Sequence, residues 1–144
     1  MRASSLVPAV ILGAALAAAL TACAAQDELP VFSQPQEEHD RLPSDGTLHV
    51  IESVDEATTR LLWEDEAGTS FYAARGRGDS DGYSCLLIFT GGEGQSACGG
   101  LPVTISPSGE PSYMLSPMVD GNSDEWTQVA DNLFVANDEA HDTR

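Results

Sequence analysis

Residues 83–98 read YSCLLIFTGGEGQSAC, and this stretch predicts the central element of the fold, a β-hairpin. It begins with an apolar run that is rich in residues favouring strands. The pair Gly91-Gly92 then follows, and two glycines between strands are typical of a tight two-residue turn. Such a turn places Thr90 opposite Glu93 and fixes the register of the two strands.

The two cysteines of this hairpin are predicted to form a disulfide. Counting outward by five positions on each strand from the Thr90–Glu93 pair brings Cys85 opposite Cys98. The pair occupies a non-hydrogen-bonded position, where facing Cα atoms lie about 4.5 Å apart, within the range that a disulfide spans. The cysteines lack the Cys-x-x-Cys spacing of redox-active pairs, so a structural bond is the favoured interpretation.

Short apolar segments bounded by Gly, Pro, Asn or Asp continue on both sides of the hairpin. This pattern predicts a mainly β domain, built as a small antiparallel sheet or a half-sandwich. The further predicted strands are residues 47–51, 69–75, 101–105, 113–116, 125–129 and 132–135. The expected core residues are Val50, Leu61, Trp63, Phe71, Tyr72, Leu86, Ile88, Val103, Trp126, Val129, Leu133 and Val135.

One segment leaves an α+β fold possible, with at most one short helix. Ser53 and Glu56 have the spacing of a helix capping box, which predicts a helix over residues 54–62. A strand through residues 59–63 is the alternative, because threonine favours strands.

The start of the chain has the composition of an export signal. Arg2 precedes an apolar run over residues 6–20, which is too short for a membrane span and is interrupted by Pro8 and Gly13. The sequence therefore predicts export from the cytoplasm.

The segment Leu20-Thr21-Ala22-Cys23 that closes this run resembles the lipobox of bacterial lipoprotein signal peptides. The resemblance implies a signal peptide over residues 1–22 and a lipidated Cys23 as the first mature residue. It also implies a lipid-anchored protein on the extracytoplasmic face of the cell membrane. Ordinary secretion is the alternative, because the residues around Cys23 also fit the cleavage site of a soluble signal peptide.

The composition divides the rest of the chain into three parts. Residues 23–46 are rich in proline and charge, which predicts an acidic flexible tether. Residues 47–137 are predicted to form the small β-rich domain, and residues 138–144 a disordered tail.

The chain is strongly acidic, with six arginines, no lysine and 23 acidic residues, for a formal net charge of −17. This balance argues against binding to nucleic acid, whose phosphates require basic side chains. It argues equally against docking on anionic lipid headgroups.

The mature domain also resembles small uncharacterised actinobacterial envelope proteins. The residues that carry the resemblance are CLLI at 85–88, AC at 97–98, MVDG at 118–121 and VADNLFV at 129–135. The resemblance implies a disulfide-stapled β domain and supplies no catalytic residues.

The sequence offers little for catalysis, because His49 is the single histidine of the predicted domain. We therefore expect a protein without enzymatic activity or a cofactor, which acts as a binding or accessory module for an envelope or exported protein. The aromatic residues expected to contact the partner are Trp63, Tyr113 or Trp126, although core packing is the alternative for each.

A calcium- or small-ligand-binding accessory lipoprotein is the second functional hypothesis. The oxygen-bearing side chains of Asp120, Asn122 and Asp124 alternate along the chain, as in calcium-binding loops. They depart from the EF-hand pattern, because Glu125 stands where the sharp turn requires glycine. Turn formation explains the same residues without a metal.

Overall fold

The computed structural model describes residues 28–44, 52–117 and 123–137. The predicted signal peptide, the predicted lipidation site, the predicted strand over residues 47–51 and the predicted C-terminal tail all lie outside these residues.

The described part of the domain contains two four-stranded antiparallel sheets, so the mainly β prediction is confirmed. The first sheet has the order β1-β2-β3-β4, with strands β1 (Val54–Glu64), β2 (Ser70–Gly76), β3 (Ser84–Thr90) and β4 (Glu93–Gly99). The second has the order β5-β6-β8-β7, with strands β5 (Val103–Ile105), β6 (Tyr113–Leu115), β7 (Trp126–Ala130) and β8 (Leu133–Ala136).

The β3–β4 hairpin has the predicted register. Gly91 and Gly92 both have positive φ values, 59° and 88°, as a tight turn of this kind requires. Thr90 pairs with Glu93, and Cys85 pairs with Cys98. The two cysteines form the predicted disulfide, with their Cα atoms 4.0 Å apart.

The two sheets share one hydrophobic core. Phe71 of β2 is fully buried there, with its ring centroid 5.3 Å from that of Trp63 and 4.6 Å from that of Tyr113 in the second sheet. Burial raises the pKa of the Tyr113 phenol. The buried members of this core are Leu29, Phe71, Ala73, Leu86, Ile88, Val103, Ile105, Tyr113, Leu115 and Leu133.

The opposite face of the first sheet is buried as well. Leu87 is fully buried there, and the rings of Tyr72 and Phe89 meet edge to face with centroids 5.8 Å apart. Burial raises the pKa of the Tyr72 phenol. Because β3 is buried on both faces, its side chains are apolar almost without interruption.

The predicted core residues are buried to different degrees. Six are buried, namely Phe71, Tyr72, Leu86, Ile88, Val103 and Leu133. Five are half-buried, namely Leu61, Trp63, Trp126, Val129 and Val135, and Val50 lies outside the described residues.

The predicted helix over residues 54–62 is wrong, and the strand alternative is correct. Strand β1 pairs with β2 at both of its ends, but the register shifts between Asp55 and Arg60. Within this bulge, the Thr58 hydroxyl accepts a hydrogen bond from the Arg75 N–H at 2.8 Å. Pairing with β2 therefore overrides the local capping pattern. Threonine favours strand structure, and the Thr58 hydroxyl also supplies a hydrogen-bond acceptor within the bulge.

The turn between β7 and β8 depends on Asn132, which has a φ of 64°. Its side-chain Nδ2 donates a hydrogen bond to the Ser116 carbonyl oxygen at 3.0 Å, and the Ser116 N–H donates to the Asn132 carbonyl at 2.9 Å. Asparagine tolerates the left-handed region better than most residues, and here it also joins β8 to the end of β6.

We expect Asn132→Ala to lower the free energy of unfolding by about 1–2 kcal/mol, because it removes a buried hydrogen bond and strains the backbone. The matched variant Asn132→Gly removes the same bond without the strain, so its loss should be smaller. Chemical denaturation of both variants measures the difference. Equal losses would show that the left-handed backbone contributes nothing.

Candidate functional site

Residues 28–44 are packed against the domain, and we call this segment the strap. The side chain of Leu29 is fully buried in the core between the sheets, whereas Leu42 packs on the opposite face of the first sheet. The strap therefore crosses the outer edge of β1 from one face to the other. This corrects the prediction that residues 23–46 are a flexible tether throughout.

Side-chain hydrogen bonds hold the strap to the bulge of β1. Gln36 Nε2 donates to the Glu56 carbonyl at 2.8 Å and to the Thr59 hydroxyl at 2.7 Å. The Thr59 hydroxyl, which is fully buried, donates to the Asp40 carbonyl at 2.7 Å. Asp40 Oδ1 accepts a hydrogen bond from the Leu61 N–H at 2.9 Å. The strap thus satisfies polar groups at a sheet edge that would otherwise be available to another chain.

A buried arginine adds to this attachment. Arg60 lies opposite Ala73 of β2, and its side chain is only 7% exposed. Its guanidinium donates to the Thr59 carbonyl at 2.8 Å and also to the Gln34 carbonyl of the strap. The strap therefore supplies one of the acceptors that a buried guanidinium needs.

The first residues of the strap complete a pocket at one end of the first sheet. We call it the Tyr83 pocket, and its volume is about 440 Å³. The start of β1, the end of β2 and the start of β3 meet here. The lining residues are Glu28, Phe32, Asp55, Arg75, Gly76, Asp81, Gly82, Tyr83 and Ser84.

Two local features shape this end of the sheet. Gly76 has no Cβ, and one placed there would overlap the Ser80 carbonyl, so glycine allows the loop after β2 to fold back onto the strand. A 3₁₀ turn over Gly78–Ser80 follows, and the Tyr83 N–H bonds to the Ser80 carbonyl at 3.1 Å. The loop therefore delivers Tyr83 to the pocket at the point where β3 begins.

The charges of the pocket are distributed unevenly. Arg75 forms an ion pair with Glu28, and its guanidinium carbon lies 5.2 Å from the centre of the Phe32 ring. This contact neutralises the positive charge on the strap side of the pocket. Asp55 and Asp81 add two carboxylates to the lining, and no further basic residue is among the lining residues.

Tyr83 gives the pocket an exposed aromatic surface. Its side chain is 49% exposed, and it is the one large hydrophobic residue of the described chain that is so exposed. A pocket lined by an aromatic ring and two carboxylates is suited to a cationic group, because both the ring face and the carboxylates attract positive charge. The arrangement can therefore bind a lysine or arginine side chain of a partner.

The aromatic residues that the sequence suggested for a contact surface are placed differently. Tyr113 is buried in the core, Trp63 is half-buried against Phe71, and Trp126 is half-buried in β7. Tyr83 was predicted only as part of a strand. Its position next to the turn-rich loop 75–82 was the one signal of its exposure.

The candidate calcium loop is only partly described. Asp120 and Asn122 lie outside the described residues, and Asp124 is exposed, with its carbonyl accepting a hydrogen bond from Asn137 Nδ2 at 3.1 Å. Within residues 28–44, 52–117 and 123–137, no three His, Cys, Asp or Glu side chains are grouped so that they could hold a metal ion.

Comparison with protein-family models, curated proteins and solved structures gives no match to this chain. In the part of the chain that the structure describes, no helix has the length and apolar character needed to cross a membrane.

Proposed function

We propose that this chain is a cell-envelope lipoprotein without enzymatic activity, which binds a protein partner through the Tyr83 pocket. Cys23 carries the lipid anchor on the extracytoplasmic face of the membrane, and a basic side chain of the partner enters the pocket. The observation that carries this proposal is the exposed ring of Tyr83 in a pocket that Asp55 and Asp81 also line.

The charge of the chain supports a basic partner. With a formal net charge of −17, the protein attracts positively charged surfaces over distances longer than a contact. Within the pocket, a cation over an aromatic ring gains about 0.5–1 kcal/mol at an exposed site and more when it loses water. The net negative charge therefore favours the first encounter with a basic partner, and the pocket selects which basic side chain binds.

The anchor is tested by the intact mass of the protein extracted in mild detergent from its own host. We expect a chain that begins at Cys23, carries added acyl mass and lacks two hydrogens because of the disulfide. A Cys23→Ser variant should leave the membrane fraction. An unacylated chain that begins after Cys23 would contradict the lipid anchor.

The pocket is tested by photo-crosslinking in the host envelope, with a benzophenone amino acid at position 83. We expect one discrete adduct, which is lost or reduced at least severalfold in the background Asp55→Asn plus Asp81→Asn. Asparagine keeps the size of each side chain and the acceptor of the Ala57 N–H at position 55. The same probe at the exposed Glu93, at the opposite end of the sheet, is the control. An equal adduct at both positions, or one unaffected by the asparagines, would overturn the assignment of the pocket.

A further inference from the structure

We infer that the Tyr83 pocket faces the membrane to which the protein is anchored, and that its partner is a basic juxtamembrane segment of a protein in that same membrane. This inference rests on the lipid anchor of the proposed function. It follows from where the strap begins, from the length of chain before it and from the direction of the strands.

The described part of the strap begins at the pocket itself. Glu28 is the first described residue, lines the pocket and pairs with Arg75. The next residue, Leu29, is fully buried in the core. The N-terminal chain therefore joins the domain at the pocket and not at a distant point.

The chain between the anchor and the pocket is short. Five residue steps separate Cys23 from Glu28, and a fully extended chain spans at most about 18 Å over that length. A flexible tether over residues 23–46 would instead reach about 80 Å. The packing of the strap thus reduces the reach of the anchored domain more than fourfold.

The strands give this attachment a direction. Ser84 of β3 lines the pocket, and Thr90 ends the same strand at the β3–β4 turn, about 20 Å away at the usual rise of a strand. Because the anchor joins the domain at the pocket end, this end lies near the lipid and the turn with Glu93 points away from it.

A pocket in this position meets groups that stand within a short distance of the bilayer. Its ring and the carboxylates of Asp55 and Asp81 favour a cation, so the occupant that fits is a basic side chain close to a transmembrane segment. Anionic headgroups are not a suitable occupant, because the acidic domain is repelled by the negative surface potential of such lipids.

The orientation is tested on the acylated protein in vesicles that carry an energy acceptor on a fraction of the headgroups. Fluorescent labels are placed on Asp79→Cys, in the exposed loop beside the pocket, and on Glu93→Cys, at the far turn. The native Cys85 and Cys98 are protected by their disulfide. We expect clearly stronger energy transfer from position 79 than from position 93.

A variant with twelve Gly and Ser residues inserted before Asp27 is the matched control. The longer tether should lower the transfer from position 79 toward that from position 93. Equal transfer from the two positions of the uninserted protein, or stronger transfer from position 93, would overturn the inference. Mass spectrometry confirms acylation of the same sample. An unexpected energy-transfer result would therefore contradict the orientation and not the lipid anchor.

The occupant is tested with a model transmembrane peptide in vesicles of neutral phosphatidylcholine. A polyleucine helix flanked by lysines is compared with the same helix flanked by glutamines. We expect at least twofold more energy transfer between the peptide and the label at position 79 for the lysine form. This gain should disappear in the Asp55→Asn plus Asp81→Asn background. Equal transfer for both peptides would contradict a basic juxtamembrane occupant.

Discussion

Leu29→Ala is expected to lower the free energy of unfolding by about 2–5 kcal/mol, the range for truncating a buried leucine. The side chain of Leu29 has no exposed surface and packs in the core between the two sheets. Its loss leaves a cavity at the point where the strap enters the domain. Denaturation with urea, followed by tryptophan fluorescence, measures the change, because Trp63 packs on the same core.

Leu42→Ala is the matched control for this prediction, because it removes the same atoms from the other end of the strap. Leu42 is only half-buried, so the loss should be smaller than for Leu29→Ala. Limited proteolysis gives a second measurement, since loosening the strap should increase cleavage between residues 28 and 44. Unchanged stability of Leu29→Ala would mean that the strap does not contribute to the core.

Removal of the Cys85–Cys98 disulfide is expected to lower the free energy of unfolding by about 2–3 kcal/mol. The bond closes a loop with a sequence separation of 13, and in the chain-entropy account such a loop restricts the unfolded chain. The double variant Cys85→Ala plus Cys98→Ala is preferred to the serine variant. Cys85 is fully buried, and serine would place a hydroxyl there whereas alanine does not.

The reduced wild-type protein is the control for the double alanine variant. Its unfolding free energy should fall by a similar amount, whereas added reductant should leave the variant unchanged. The β3–β4 hairpin itself should persist in both, because its register is also set by the glycine turn. A variant as stable as the oxidised protein would show that the bond does not stabilise the domain.

The hairpin was predictable because all of its determinants are local. Gly91-Gly92 fixes the turn, the turn fixes the register, and the register brings Cys85 opposite Cys98. The strand β1 was harder to predict, because its bulge interrupts the alternation of buried and exposed residues that identifies strands.

The strap and the Tyr83 pocket could not be predicted in the same way. The apolar residues of the strap, Leu29, Val31 and Phe32, stand in a polar, proline-containing segment without a helical or strand period. What orders them is contact with residues far along the chain, such as the pairing of Glu28 with Arg75. Composition indicates only which local structure a segment prefers. The strap, in contrast, is ordered by its tertiary packing against the sheets.

The strap also determines where a pull on the chain before Glu28 would first act. Tension applied to the chain before Glu28 reaches the domain first at the Arg75 ion pair and at buried Leu29, before any strand bears it. Release of the strap would withdraw Glu28 and Phe32 from the lining of the pocket. The lining of the Tyr83 pocket is therefore complete only while the strap stays packed on the domain.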